Sequence, residues 1–145
     1  MEKLEMTVKI KAPKEHVYKT MLEDATYREW TSVFVEGSHY IGSWEKGSTI
    51  LFVDPKGQGM AAIVEEHRPA EFVSTMFTGL VLDGVEDTES DEAKAIIGAH
   101  ENYTFTEVDG VTELRVDLDT TEDYKEMFDG VYPKALELLK TIAER

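Results

Sequence analysis

The sequence predicts an α+β domain in which a curved antiparallel sheet of about seven strands wraps around a long C-terminal helix. Three observations carry this. Residues 120–145 repeat apolar side chains at three- and four-residue steps, the period of one helix face. Residues 4–10 alternate apolar and polar, the period of a half-buried strand. Residues 101–118 fold back on themselves about an Asp-Gly dipeptide. At 145 residues and 41% apolar composition, the chain suits one domain with its own core, and residues 1–145 are read as such.

Leu4, Met6, Val8 and Ile10 give the first strand its buried face. Ala12-Pro13 ends it, and Pro13 suits the first position of a helix. Val17, Met21 and Leu22 form that helix's inner stripe, and Asp24 is placed to cap a second short helix over 25–30. Strands are expected at 33–41, weakened by Gly37, and at 49–53, 60–66 and 72–78. Ser43 to Gly47 and Asp54-Pro55-Lys56-Gly57 read as turns. Both faces of these middle strands carry apolar residues, so their inward side is not assigned.

Residues 80–98 break the pattern. Asp83, Glu86, Asp87, Glu89, Asp91 and Glu92 crowd against the single base Lys94, and Ser90 can start a short helix that Gly98 stops. The stretch reads either as a solvated loop with one helical turn or as a flap over a cavity mouth.

Val108-Asp109-Gly110-Val111 is the signature of a two-residue type I′ hairpin, which fixes register. Val108 then faces Val111, Phe105 faces Leu114, Tyr103 faces Val116 and Glu101 faces Leu118. Thr106, Thr104 and Asn102 meet Glu113, Arg115 and Asp117 on the other face. Glu101 is thus a carboxylate on the apolar side. It is either a strand-end residue reaching solvent or a polar anchor at a cavity rim with a raised pKa.

In the last helix the stripe is Phe128, Val131, Tyr132, Ala135, Leu138, Leu139 and Ile142. Thr120-x-x-Asp123 gives a capping-box-like start, and Lys140 and Arg145 place cations at its end. Pro133 is expected to kink it, so that it does not lie flush on a curved sheet and leaves a cavity beneath.

Composition sets limits on chemistry. Thirty acids against 15 bases give a formal charge of −15, which repels phosphate backbones and anionic membrane surfaces, so no nucleic-acid partner is expected. There is no run of eighteen apolar residues, hence no expected membrane insertion, and no secretory signal. With no cysteine there is neither disulfide nor thiol catalysis. A cytoplasmic monomer is expected. His16, His39, His67 and His100 are scattered without zinc spacing, so no metal or cofactor is expected. His67, beside Pro69, reads as a strand-end residue. No nucleophile elbow, phosphate loop or dinucleotide fingerprint occurs.

Particular residues carry a resemblance. They are Ile10-Lys11-Ala12-Pro13 with Val17, Trp30 closing the second helix, and Gly42-Ser43-Trp44-Glu45-Lys46-Gly47-Ser48. Further on come Glu65-Glu66-His67-Arg68-Pro69, Glu101-Asn102-Tyr103-Thr104-Phe105, Thr112-Glu113-Leu114 and Tyr132-Pro133-Lys134-Ala135-Leu136. In this order the chain resembles the START-like (SRPBCC) helix-grip superfamily. More narrowly it is similar to the family named after the C-terminal domain of the activator of the heat-shock chaperone ATPase, which includes polyketide-cyclase-like members. The resemblance implies a cavity between helix and sheet that takes an apolar or amphipathic small molecule. It implies no single activity, because the fold carries binders, cyclases, hydrolases and chaperone cofactors alike.

The candidate ligand-binding residues are Trp30, Phe52, Met60, Glu101, Tyr103, Phe105, Leu114, Val116, Phe128 and Tyr132. Met76 and Met127 are further candidates to fill irregular space. Two alternatives stay open. One is a cyclase- or hydrolase-type enzyme using Glu101, Tyr103 or Tyr132 as acid or base. The other is a chaperone-cofactor-like module whose acidic surface meets a basic protein partner.

Overall fold

The computed structural model describes residues 1–145. Strand β1 (Glu2–Ile10) leads into helices α1 (Lys14–Leu22) and α2 (Asp24–Thr31). Strands β2 (His39–Gly42), β3 (Thr49–Val53), β4 (Gly59–Arg68), β5 (Phe72–Leu82) and β6 (Val85–Asp87) follow. Helix α3 (Asp91–Ile96), strands β7 (His100–Val108) and β8 (Val111–Thr120), and helix α4 (Glu122–Glu144) complete the chain. All pairings are antiparallel. The sheet order is β1-β8-β7-β5-β4-β3-β2, with β6 paired to the far end of β5.

The hairpin register is the one the sequence dictates, with Val108 opposite Val111 and Glu101 opposite Leu118. Asp109 and Gly110 adopt φ of 52° and 77°, the left-handed pair a type I′ turn requires. Pairing of β1 with β8 extends the apolar face into rows: Val8–Leu114–Phe105, Met6–Val116–Tyr103, and Leu4–Leu118–Glu101. Row by row, this face becomes the sheet's concave side.

Curvature comes from the middle strands. Irregularities between Ala61 and Ala62, and between Val64 and Glu66, bend β4 against β5. Gly59 lets β3 and β4 close up: a Cβ there would lie 1.8 Å from the Phe52 carbonyl oxygen.

Four expectations need correction, the first being that Asp24 caps α2: Glu23 holds the cap position and Asp24 is the first helical residue. The strand expected over 33–41 is only His39–Gly42, because turns follow α2 directly and Gly37, at φ 81°, reverses the chain. The sheet has eight strands, because β5 runs on to Leu82 and returns as β6. Its turn, Asp83-Gly84, has φ of 52° and 80° and repeats the Asp-Gly signature of the second hairpin. Helix α4 starts after Thr121, whose side chain makes no capping bond, while Thr120 is still the last residue of β8. Within the acidic stretch, Ser90 does cap α3, its Oγ accepting from the Ala93 N–H at 3.1 Å.

Helix α4 lies against β1, α1 and α2. Its C-terminal half is packed tightly: Leu136, Leu139 and Ile142 are buried, contributing about 2 kcal/mol each by apolar burial. Its N-terminal half is looser, with Tyr124 and Met127 nearly half exposed and Phe128 only partly buried. Pro133 lies inside the helix without interrupting it. Both Pro133 and Asp129, whose carbonyl loses its N–H partner, are exposed, so water can serve that carbonyl. The terminal cations tie elements together instead of capping: Arg145 forks onto Glu29 of α2 at 2.9 and 3.0 Å, and Lys140 Nζ donates to the Lys9 carbonyl at 2.8 Å.

Two glycine substitutions separate backbone strain from steric closure. Gly110→Ala meets open space, so only its left-handed φ is penalised, at about 1–2 kcal/mol. Gly59→Ala drives a methyl into the Phe52 carbonyl and is expected to cost more than about 3 kcal/mol. Urea unfolding of the two variants should reproduce that order.

Candidate functional site

A cavity of about 370 Å³ lies between the loose half of α4 and the concave sheet, within the range of small-molecule sites. Tyr27, Trp30 and Thr31 of α2 form one wall, continued by Phe34 and Val35 of the following turn. Phe52 of β3, Met60 of β4, and Phe77 and Leu80 of β5 line the sheet side. Helix α4 contributes Tyr124, Met127, Phe128 and Tyr132 as the roof, and Glu92 and Ile96 of α3 line a further side.

Local sequence explains why so many rings meet here. Trp30 is held by its indole N–H, which donates to the Met21 carbonyl at 3.0 Å. The turn after α2 turns Phe34 onto Tyr132, with ring centroids 5.0 Å apart at 79°. Phe128, one helical turn before Tyr132, stands 6.4 Å from it. Tyr27 packs edge-on to Trp30 at 5.6 Å and stacks with Phe52 at 6.4 Å.

A hydrogen-bonded polar cluster lies within the largely apolar lining. Glu101, third in the row Leu4–Leu118–Glu101, points its carboxylate at two tyrosines. Its Oε1 accepts from the Tyr103 hydroxyl at 3.0 Å, and its Oε2 accepts from the Tyr132 hydroxyl at 2.8 Å. Burial raises the Glu101 pKa above the usual carboxylate value, and the two tyrosine donors pull it partly back. Tyr132 and Tyr103 are pushed well above the ordinary phenol value, first by burial and then by the Glu101 charge. The tyrosines are therefore donors and Glu101 the acceptor, its carboxyl held above the usual carboxylate range by burial.

Eight of the sequence-derived candidates come together at the cavity: Trp30, Phe52, Met60, Glu101, Tyr103, Met127, Phe128 and Tyr132. Phe105, Leu114 and Val116 do not. They are buried in the solid core to one side, where Phe105 lies edge-on to Tyr18 of α1 at 5.9 Å. Facing inward placed them on the right surface, but α1 and the packed half of α4 cover that part. Met76 also lies away from the cavity. Phe34 was missed because it was read inside a strand, and Tyr27 because a short helix alone does not reveal its inner side.

No histidine lines the cavity. His67, read from the sequence as a strand-end residue, is a structural link. Its Nδ1–H donates to the Trp44 carbonyl at 2.6 Å, which leaves Nε2 to accept from the Tyr18 hydroxyl at 2.6 Å. His16 bonds the Ala143 carbonyl, and His100 sits against Glu65.

This arrangement, a curved antiparallel sheet gripping a C-terminal helix over a lined cavity, is the START-like helix-grip fold. No family model matches the chain, and no curated protein matches it. Solved structures do. The Aha1 dimer of Colwellia psychrerythraea superposes with a TM-score of 0.76 at 20% identity, covering 99% of this chain and 97% of that one. CalU16 of Micromonospora echinospora gives 0.69 at 12% identity over 97% and 75%. DynU16, from the dynemicin biosynthetic locus, gives 0.70 at 12% identity over 97% and 46%. At these identities the likeness is one of fold.

The Glu101 pKa has a consequence for stability. Between the ordinary carboxyl value and the raised folded one, the unfolded chain has released a proton that the folded chain keeps, so unfolding free energy falls as pH rises through that window. Replacing Glu101 by Gln removes this contribution. Urea unfolding from about pH 4 to about pH 8 should show the variant gaining on the parent with rising pH. Glu101→Ala leaves two buried hydroxyls without their acceptor and is expected to cost about 1–3 kcal/mol.

Proposed function

We propose that this protein binds a small hydrophobic or amphipathic molecule in the cavity between α4 and the sheet. The observation that carries the reading is a space of about 370 Å³ lined mostly by apolar and aromatic side chains, with a hydrogen-bonded polar cluster. A core that merely packed would not leave such a volume, since protein interiors pack close to crystal density. The exposed apolar residues Val35, Tyr124 and Met127 gather at the same place and form an apolar rim through which a ligand would enter. The acidic stretch 80–98 lies at this end as well, as β6 and α3, and its Glu92 and Ile96 close one side.

The Glu101 cluster supports a second reading, an enzyme of cyclase or hydrolase type using the same cavity. Glu101 would act as general base and later return the proton, while Tyr103 and Tyr132 hold its carboxylate in place. The two readings share the pocket and differ in whether bound molecules are changed.

Titration with the neutral dye 1-aminoanthracene tests the binding reading. Saturable fluorescence enhancement is expected, with amide shifts at Phe34, Tyr103 and Phe128. Met60→Trp fills the cavity from β4 and should weaken binding at least about tenfold without unfolding the protein. Absence of saturable binding by the parent protein, or full binding by the filled variant, would count against the cavity as a ligand site.

A further inference from the structure

We infer that the cavity selects a hydrophobic amine, seated with its ammonium against the Glu101 carboxylate among aromatic rings. This rests on the cavity being a ligand site and adds the charge of the ligand. Each Glu101 oxygen accepts one tyrosine O–H, and each keeps a lone pair for a further donor. Glu101 is only half-buried, and it lines the cavity. The chain therefore presents an acceptor with spare capacity at the end of an apolar space.

The rest of the lining decides the sign of the ligand's charge. No lysine, arginine or histidine side chain lines the cavity, and the one cation on a lining residue is the α-amino group of exposed Met1, whereas Asp54, Glu92 and Asp119 join Glu101 there. Asp119 turns its carboxylate to Lys3 at 4.0 Å and His100 at 3.7 Å, and Asp54 is engaged by the N–H groups of its own turn, so a carboxylate or phosphate would meet the Glu101 charge with no basic side chain in the lining to offset it. An ammonium would supply the counter-charge that Glu101 lacks, since its two hydrogen-bond partners, Tyr103 and Tyr132, are neutral donors. The rings of Tyr27, Trp30, Phe34 and Phe128 add the attraction of aromatic faces for a cation. The hydrocarbon part of such a ligand then occupies the apolar side formed by Phe77, Leu80 and Ile96. A neutral alcohol can use the same lone pair but gains nothing from the charge.

Octylamine, 1-octanol and octanoate, titrated separately into isotope-labelled protein at about pH 7 and low salt, test this. Octylamine is expected to bind about tenfold tighter than 1-octanol, with octanoate the weakest. In Glu101→Gln the amine should fall to the level of the alcohol, whose affinity stays unchanged. Octanol or octanoate binding as tightly as the amine overturns the charge assignment and leaves the cavity reading standing. An amine preference that survives Glu101→Gln overturns the role of Glu101. Should that variant not fold, the order of the three ligands on the parent protein decides alone. Failure of all three to shift any lining resonance overturns the cavity reading and this assignment with it.

Discussion

The constraint on which the rest depends is the register of the β7–β8 hairpin. A two-residue turn at Asp109-Gly110 leaves the strands one way to pair, and a slip by one residue would turn every apolar side chain to the wrong face. With that register, β1 adds its own alternating face in line, and three rows of side chains cross the strands. The same register puts a carboxylate at the end of one row. Glu101 is therefore not a stray polar residue. It occupies a position the turn prescribes, and the structure accommodates it with two tyrosine hydroxyls drawn from different elements, β7 and α4.

The cavity follows from how unevenly α4 uses that face. Its second half packs against β1, α1 and α2, and its small and branched residues leave little room. Its first half passes over the part of the sheet bent by the irregularities of β4, where the strands curve away. The rings of Phe128 and Tyr132 reach down from the helix, and Phe34 and Tyr27 reach in from α2 and its turn. They line the space between helix and sheet and leave it open, because they are anchored on different elements with fixed spacing. Tyr132 links the two halves. It is buried with the packed residues, yet its hydroxyl belongs to the cavity.

The acidic surface has a separate role. Several cations are taken up in exposed pairs such as Arg115 with Glu5 and Arg28 with Asp24, each worth about 0–1 kcal/mol. They do not hold the fold together. With 30 acids against 15 bases, an excess of acids is left without a cation. A field of that sign works against anionic ligands at the mouth just as it does against nucleic acid.

The sequence by itself determined the hairpin, its register, the face on which Glu101 lies, and the inner stripe of the last helix. These depend on local chemistry: a turn that requires left-handed backbone, and periods of 2 and 3.6 residues. It also carried the signal for the β5–β6 turn, Asp83-Gly84, which the crowd of acids around it obscured. Only the tertiary structure decided which inward residues face empty space and which face other side chains. Phe105, Leu114 and Val116 share a face with Tyr103 and Glu101, but α1 and the tight half of α4 cover them. Strand alternation distinguishes inside from outside, whereas a cavity is a relation among elements distant in the chain, set by sheet curvature and by where a helix comes to rest.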